Sequence, residues 1–374
     1  MGTESTIAPP QRLYHLDALR VLAMAGVFVF HCGRAFDSEG WHVKSLVRAE
    51  YFDLQTALLS QWLMPLFFLI SGWVTYTALA RTSAGTFAWS RLTRLGVPFV
   101  LGTLILVPPQ VYIERVTQSG VTRNFFEWFP SYFDGLYAFG GNFAWMGLHL
   151  WYLEMLLVFS FLLLPVFLIF RRQMRTGPVP GWALVALAGA VIVAVELFVS
   201  QDPDGIGMRD FGGWSPLTYL VLFLVGHTIG RSPAFQHGFV ATRWITAAIG
   251  AAGVLMLVAY VTGMFSGVDR TTEALVRVAI AWGGIAAMFG FAAKHLTARN
   301  AVIAFANRYV LQFYVLHQTV IVILGFWLLG WTVDPHAKFL VTLVASFTII
   351  AVSLAVYNVA KAKALGMFKP ARAF

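Results

Sequence analysis

The segment from Leu16 to His31 places a cation, Arg20, and an imidazole, His31, in an otherwise apolar stretch. Eleven residues advance an α-helix by about 1100°, three turns plus about 20°, so the two side chains share one face about 16 Å apart. Because a hydrocarbon core is about 30 Å thick, the two residues cannot lie at opposite membrane interfaces. Ionisable side chains at membrane depth indicate a functional site, and an imidazole there can move a proton near neutral pH.

Two further arginines, Arg91 and Arg94, precede an apolar stretch in the segment Ser-Arg-Leu-Thr-Arg-Leu-Gly-Val-Pro. At positions i and i+3 they present two guanidinium groups on one helical face, a geometry that suits phosphate or pyrophosphate. Basic anchoring at a membrane surface is the alternative that this spacing leaves open. For Arg20 the competing interpretation is a structural ion pair with Asp17, three residues before it.

Another polar group opens a later apolar stretch in the sequence His149-Leu-Trp-Tyr-Leu-Glu154. His149 and Glu154 are five positions apart, about 140° around a helix, so they do not share a face. Glu154 lies within a helix and therefore requires a partner, a proton or water. For Trp151 an interfacial aromatic belt is a sufficient explanation.

His317 lies about halfway along a long apolar stretch and has Gln312, Tyr314 and Gln318 as near neighbours in sequence. These neighbours favour a polar lumen between helices. The alternative is a histidine that hydrogen-bonds to a neighbouring helix without a catalytic role.

Most soluble-enzyme and metal-site patterns are absent from the sequence. No His-x3-His or His-Glu-x-x-His pattern occurs, and there is neither a Walker loop, a dinucleotide fingerprint nor a Gly-x-Ser-x-Gly elbow. The single cysteine, Cys32, excludes an intrachain disulfide and a cysteine cage for a metal. We therefore expect no metal site and no permanently bound cofactor.

The elements that position these residues must be membrane helices. With 59% hydrophobic and 11% charged residues, a soluble chain of 374 residues would lack the polar surface to cover itself. We predict an all-α polytopic bundle in the lipid bilayer, with one domain over 1–374 and about ten transmembrane helices, at 14–33, 54–80, 95–113, 148–170, 181–199, 215–230, 244–264, 273–293, 302–330 and 337–359.

The charge distribution predicts the orientation of this bundle. The net charge of +9 lies in short basic clusters between apolar runs, which favours membrane topology over nucleic-acid binding. With a cytoplasmic N-terminus, 17 of the 26 Lys and Arg fall inside, but only Glu4 and Asp17 of the 17 acidic residues do. Both termini are then cytoplasmic, with tails at about 1–13 and 360–374, while the intervals 34–53 and 114–147 lie outside. The second interval is rich in aromatics, a composition typical of an interface or the roof of a cavity.

In chain order, the motifs resemble those of the acyltransferase 3 family of integral membrane O-acyltransferases, whose membrane domain usually has ten helices. The resemblance rests on Arg20-x10-His31, Phe67-Phe-Leu-Ile-Ser-Gly-Trp73, Arg91-x-x-Arg94, Leu150-Trp-Tyr-Leu-Glu154 and Tyr314-Val-Leu-His317-Gln. Many members carry Trp-Ser-Leu-x-x-Glu where this chain has Trp-Tyr-Leu-Glu, so the resemblance carries over to His31 directly and to Glu154 only with a changed spacing. We expect no hydrolase-like domain after the tenth helix, and the chain is in this respect similar to stand-alone members that modify periplasmic glucans or exported polysaccharides.

The resemblance implies acyl-CoA as a co-substrate from the cytoplasm and acylation of a carbohydrate or glycolipid hydroxyl on the outer side of the cell (inner) membrane. The acyl group would be acetyl, succinyl or similar. We expect His31 to be a general base or an acyl carrier, Glu154 to orient it or bind the acceptor, Arg20, Arg91 and Arg94 to hold the donor, and His317, His149 and Trp151 to line the path. The alternative is a multi-pass transporter or flippase that uses the same buried charges as a substrate path.

Overall fold

The structure, a computed structural model, describes residues 13–172, 179–200, 212–264 and 266–367. These residues form helices joined by loops and turns, with no β-strand among them. The all-α polytopic bundle predicted from composition is confirmed. The predicted N-terminal tail lies almost wholly outside the described residues, as do positions 368–374 of the C-terminal one.

The first third of the chain forms one helical pair and one long interrupted helix. The helices are α1 (Tyr14–Gly33), α2 (Glu50–Leu79), α3 (Ala84–Arg91), α4 (Val97–Ile105) and α5 (Val107–Ser119), with a π-helical turn, Leu92–Gly96, between α3 and α4. Together α3 to α5 form one continuous stretch long enough to cross a membrane. A π-helical turn inside an α-helix often marks a functional site.

The segment that follows is short and irregular before it re-enters the bundle. It contains α6 (Phe125–Trp128), α7 (Trp151–Leu162) and α8 (Leu164–Ile169), together with 3₁₀ turns at Phe129–Phe133, Tyr137–Phe139 and Leu148–Leu150. Among the described residues, Leu148 is the only non-glycine residue at positive φ, and Gly147 before it is also left-handed. This turn sets the direction in which His149 enters the bundle.

The remaining described residues form seven α-helices and one π-helical turn. These are α9 (Gly181–Ser200), α10 (Pro216–Arg231), α11 (Pro233–Val261), α12 (Arg270–Val278), a π-helical turn (Ala279–Gly283), α13 (Gly284–His295), α14 (Ala301–Trp327) and α15 (Pro335–Met367). The core lies between α1, α2, α10 and α14, where side chains such as Phe28, Phe68 and Phe223 are buried.

All ten predicted stretches contain helix, although their lengths differ from the prediction. Within the described residues, eight helical stretches are long and apolar enough to cross a membrane. The other two are shorter: α7 with α8, and α10 with 16 residues. The predicted end at 113 is wrong, because α5 continues to Ser119, and the last helix extends to Met367, into the predicted tail. The cytoplasmic placement of both termini stays a prediction.

Glycines bring α2 and α10 into backbone contact. A Cβ added to Gly72 would lie 2.0 Å from the Phe223 carbonyl oxygen, and one added to Gly226 would lie 2.0 Å from the Leu69 carbonyl oxygen. Small residues at such a crossing let membrane helices approach closely and gain van der Waals contact. The glycine of the Phe67–Trp73 motif is therefore a packing residue.

The substitution Gly72→Ala should destabilise the folded protein by about 3 kcal/mol, since the new methyl group would overlap a carbonyl oxygen that belongs to a rigid helix. Thermal unfolding of detergent-solubilised protein, followed by size-exclusion chromatography, measures the loss. Gly85→Ala in α3 is the matched control, because a Cβ there meets nothing within 4 Å. Equal unfolding temperatures for the two variants would contradict the crossing described above.

Candidate active site

Three histidines from separate elements meet at one end of the bundle. His31 lies in the last turn of α1, His317 near the middle of α14, and His149 in the turn before α7. His31 Nδ1 and His317 Nε2 are 3.2 Å apart, and the ring centroids of His317 and His149 are 5.3 Å apart. His317 and His149 are buried, whereas His31 is half-buried.

Backbone carbonyls determine which nitrogen of each neutral ring carries the proton. His31 Nδ1 lies 2.9 Å from the Val27 oxygen, and His317 Nδ1 lies 2.5 Å from the Tyr314 oxygen. Because a carbonyl oxygen only accepts, both Nδ1 atoms must be donors. His317 Nε2 then accepts from His31 Nδ1, and the lone pair of His31 is left on Nε2, which has no hydrogen-bond partner among the described residues.

A chain of buried polar side chains extends from His149 across α5 and α14. Gln110 Nε2 lies 3.4 Å from His149 Nδ1, and Gln318 donates to Gln110 Oε1 at 3.0 Å. The same Gln318 amide lies 3.2 Å from His42 Nε2, while His42 Nδ1 pairs with the Glu114 carboxylate. Buried polar groups of this kind are stable only when each has a partner.

His42 belongs to the loop between α1 and α2, and ion pairs among charged residues of this loop hold the loop in place. Arg34 donates to Asp37 and to Glu39, each at 2.6 Å, and Lys44 donates to the second Asp37 oxygen at 2.6 Å. Burial lowers the pKa of Lys44, against the opposing effect of the Asp37 carboxylate. The loop is thus fixed by ion pairs.

The aromatic segment between α5 and α7 divides into buried, lining and exposed residues. Trp128 and Tyr132 are buried in the core, whereas Phe126 and Phe139 are exposed, as in an interfacial belt. Tyr137 donates to Glu114 at 2.7 Å, and burial followed by the Glu114 charge raises the pKa of Tyr137, so its phenol stays protonated. Tyr137 and Trp145 line the cavity, as the roof interpretation predicts, while an interfacial belt stays a prediction for the exposed rings.

The histidine cluster opens into a cavity of about 790 Å³, within the range of small-molecule binding sites. Of the residues predicted from sequence, His31, His149 and Trp151 line this cavity. His317 is not part of the lining and contacts His31 from behind. Polar and aromatic side chains from the two loops complete the wall, among them Arg34, Glu39, Trp41, His42, Tyr137 and Trp145.

Glu154 lies apart from the histidines. It is half-buried on α7, and its Oε2 is enclosed without a hydrogen-bond partner among the described residues. It is not among the residues that line the cavity. In the described part of the chain, the carboxylate that joins the histidine network is Glu114, on α5.

The three predicted donor-binding arginines lie at the end of α1 remote from His31, here named the arginine end. Arg20 lies 3.8 Å from Asp17, which confirms the ion pair, and it donates to Asn307 at 3.3 Å. Arg91 points into the protein, where its guanidinium donates to the Thr75 hydroxyl at 2.7 Å and lies 4.8 Å from the Phe87 ring centroid. Arg94 is exposed.

Arg91 directly precedes the π-helical turn, and Arg94 is its third residue. The wider turn alters the angle that an α-helix would give to positions i and i+3. The two guanidinium groups nevertheless act on one another electrostatically, and Arg20 also acts on Arg91. The arginine end therefore concentrates positive charge.

Aromatic hydroxyls lie between the arginine end and the histidines. The Tyr152 hydroxyl is 2.6 Å from the Ser71 hydroxyl, and the Tyr152 and Tyr314 rings are 5.9 Å apart. Tyr314 in turn donates to the backbone oxygen of His149. Tyr314 and Gln318 thus belong to the polar interior predicted around His317, whereas Gln312 lies on an exposed face.

Sequence reasoning missed His42, Gln110 and Glu114. His42 is in a loop, and Glu114 falls just beyond the predicted end of its helix, so neither was placed inside the bundle. One signal was available: Gln110, Glu114 and Thr117 recur at helical spacing and mark a polar face that continues the helix.

Comparison with known proteins identifies the family. The profile of the family described as an acyltransferase domain, Acyl_transf_3, matches residues 13–357. The chain belongs to this family. It is a membrane acyltransferase, and the transporter alternative is not favoured by this match.

Curated relatives of this acyltransferase include proteins named glucans biosynthesis protein C. The one from Shigella dysenteriae serotype 1 is 24% identical over 341 residues, which cover 88% of this chain and 86% of the relative. The one from Salmonella paratyphi B is 22% identical over 350 residues, with the same coverage. No solved structure matches the chain.

Substitution of Glu114 by glutamine should lower the free energy of unfolding of this acyltransferase by about 3 kcal/mol, because His42 and Arg115 lose a buried carboxylate. Thermal unfolding in detergent measures the change. Glu127→Gln is the matched control, since Glu127 is exposed. If Glu114→Gln unfolds at the control's temperature, the carboxylate does not support the network.

Proposed function

We propose that this membrane acyltransferase moves an acyl group from acyl-CoA to a hydroxyl of a carbohydrate, with His31 as the general base. The observation that carries the proposal is the hydrogen bond from His31 Nδ1 to the Val27 oxygen. Because this bond assigns the proton to Nδ1, the lone pair lies on Nε2 of a half-buried ring in the cavity wall.

In the proposed reaction, His31 Nε2 takes the proton of the acceptor hydroxyl while the oxygen attacks the thioester carbonyl. An ester forms, the carbon–sulfur bond breaks, and the thiolate of CoA leaves and then takes up a proton. His317 stabilises the imidazolium ring, because its Nε2 accepts from His31 Nδ1. His149 contacts His317 and lines the cavity, and so belongs to the path of the acceptor.

Two features support a carbohydrate acceptor. The cavity wall combines aromatic rings such as Trp41, Trp145 and Trp151 with hydrogen-bonding groups, and aromatic faces pack well against the C–H faces of sugar rings. The relatives carry a name that refers to glucans biosynthesis. We propose a glucan or a similar exported glycan as the acceptor, modified at the membrane face on which the cavity opens.

Charge supports an acyl-CoA donor at the arginine end. Arg20 and Arg94 both act electrostatically on Arg91 there, and Asp17 offsets part of the charge of Arg20. The phosphate groups of CoA would offset the remaining positive charge of these arginines. The proposed membrane is the inner membrane of the cell, with the arginine end toward the cytoplasm. The acyl group would then reach His31 past Tyr152 and Tyr314.

Substitution His31→Gln should lower kcat for acyl transfer at least about 100-fold, because a positioned general base contributes about 10² to 10⁴ in rate. Purified protein with radiolabelled acetyl-CoA or succinyl-CoA and a glucose oligomer gives the rate. His237→Gln, on an exposed face of α11, is the matched control. If radiolabel remains covalently bound to His31 when no acceptor is present, His31 is an acyl carrier and not a general base. If the rate in His31→Gln is unchanged, His31 has no part in the mechanism.

Substitution Arg94→Gln should raise KM for acyl-CoA about tenfold and leave KM for the acceptor unchanged, since one hydrogen bond to a charged phosphate is lost. Initial rates at varied donor concentration measure this. Arg123→Gln, an exposed arginine in the segment before α6, is the matched control. A rise confined to the acceptor KM would contradict a donor site at the arginine end.

A further inference from the structure

One loop of the cavity wall has no role in the proposed reaction. Residues 134–143 close on themselves, since the Tyr137 N–H donates to the Phe143 carbonyl at 3.0 Å. Gly140, at the far end of the loop, has a φ of +83°, which glycine adopts without strain. Tyr137 lines the cavity and is partly exposed, whereas Phe139 lies outside the lining and is 85% exposed. The loop therefore turns the Tyr137 ring toward the cavity.

The Arg115 guanidinium joins this loop to α5 and also backs the Tyr137 ring. Its Nε donates to Asn142 Oδ1 at 2.9 Å, its Nη2 donates to the Gly141 carbonyl at 2.7 Å, and its Nη1 lies 3.2 Å from Glu114 Oε1. The same guanidinium lies over the Tyr137 ring, 5.5 Å from the centroid. Since Arg115 is not one of the residues that line the cavity, it covers the face of the ring that is turned away from the cavity.

The Glu114 carboxylate holds the hydroxyl edge of the same ring. The Tyr137 hydroxyl donates to Glu114 Oε2 at 2.7 Å, and His42 Nδ1 donates to the same oxygen. Glu114 is buried and also lies outside the cavity lining. With one face against Arg115 and its hydroxyl tied to Glu114, the ring has its other face available to a ligand. Because the ring is fixed beforehand, little conformational freedom is lost when a ligand packs on it.

This face of Tyr137 belongs to the cavity that holds His31. His42, which shares a carboxylate oxygen with Tyr137, also lines the cavity and has its Nε2 3.2 Å from the Gln318 amide nitrogen. Gln318 directly follows His317, whose Nε2 accepts from His31 Nδ1. The Tyr137 ring is thus tied to the histidines through hydrogen bonds, and a ligand that packs on it lies in the cavity that contains the His31 lone pair.

The charges around this ring indicate a neutral ligand. The face of a phenol carries partial negative charge, which disfavours an anion such as phosphate. Arg115 lies over the opposite face, and its positive charge disfavours a second cation. The C–H bonds of a saturated sugar ring are weakly positive and need no counter-charge, so they pack well on such a face. A pyranose ring therefore fits this face better than a charged group does.

We infer that Tyr137 is the platform on which the acceptor sugar stacks, with the face of the pyranose that carries its axial hydrogens against the phenol ring. In a β-glucoside these are the hydrogens on C1, C3 and C5. Tyr137 is then a specificity-determining residue, because it selects a sugar with one flat apolar face. This inference rests on the proposed function only in taking the acceptor to be a carbohydrate, and its test does not require acyl transfer.

The test is saturation-transfer NMR of methyl β-glucoside with the full chain in detergent, without donor. Irradiation of the aromatic resonances of the wild-type protein should saturate the hydrogens on C1, C3 and C5 most strongly. Tyr137→Leu should remove most of this transfer and weaken binding about 3- to 10-fold, the loss of one stacked ring. Tyr137→Phe keeps the ring and should stay closer to wild type. Phe139→Leu, which alters the exposed ring of the same loop, is the matched control and should bind as wild type does.

Each remaining outcome has a distinct meaning. Binding that is unaffected in Tyr137→Leu overturns the platform, and so does an equal loss in Tyr137→Phe, which would result from the missing hydrogen bond to Glu114. A change confined to KM for acyl-CoA also overturns it, because the ring would then contact the donor. A wild-type protein that transfers acyl groups but shows no saturation of this sugar face overturns the platform, while the proposed function stands. A wild-type protein that shows Tyr137-dependent stacking but transfers no acyl group supports the platform and overturns the proposed function.

Discussion

The hydrogen bond from His31 Nδ1 to the Val27 carbonyl, with His317 as its second acceptor, is the constraint on which the site depends. Helical geometry supplies the carbonyl four residues earlier at no additional conformational cost, and α14 supplies the second imidazole. One ring nitrogen is thereby committed to the protein and the other is left for chemistry. The contacts of Gln318 with Gln110 and with His42 hold α14 beside α5 and the loop after α1, and so keep this arrangement.

This arrangement depends on a buried network, since helices in lipid gain little from hydrophobic association. Gln318 is its centre, because it donates both to Gln110 on α5 and to His42 in the loop after α1. At the far end the Glu114 carboxylate then accepts from His42 Nδ1 and from the Tyr137 hydroxyl of the aromatic segment. The network ties the loop after α1 and the segment after α5 to α5 and α14, so these parts of the cavity wall are joined by hydrogen bonds.

The sequence predicted the helices well because apolar length is a strong signal, and it failed where polar residues continue a helix. The apolar run ends at 113 because the residues that follow are mostly polar, although Glu114 is buried against His42 and Thr117 donates to the His42 carbonyl. His31 could be found because a lone imidazole in an apolar run is conspicuous. His42 could not, since its place depends on a loop folded by Arg34 and Asp37, and no periodicity reports such a contact.

The glycine crossing between α2 and α10 has a consequence for selectivity. At Gly72 and Gly226 the two backbones touch without intervening side chains. The separation of the two helices therefore cannot change through a shift of side-chain rotamers. Ser60 on α2 and Gly212, in the turn that leads into α10, both line the cavity, so this same helix pair carries two parts of its wall. Because this part of the cavity cannot widen, it should select ligands by their thickness and exclude those that are too thick.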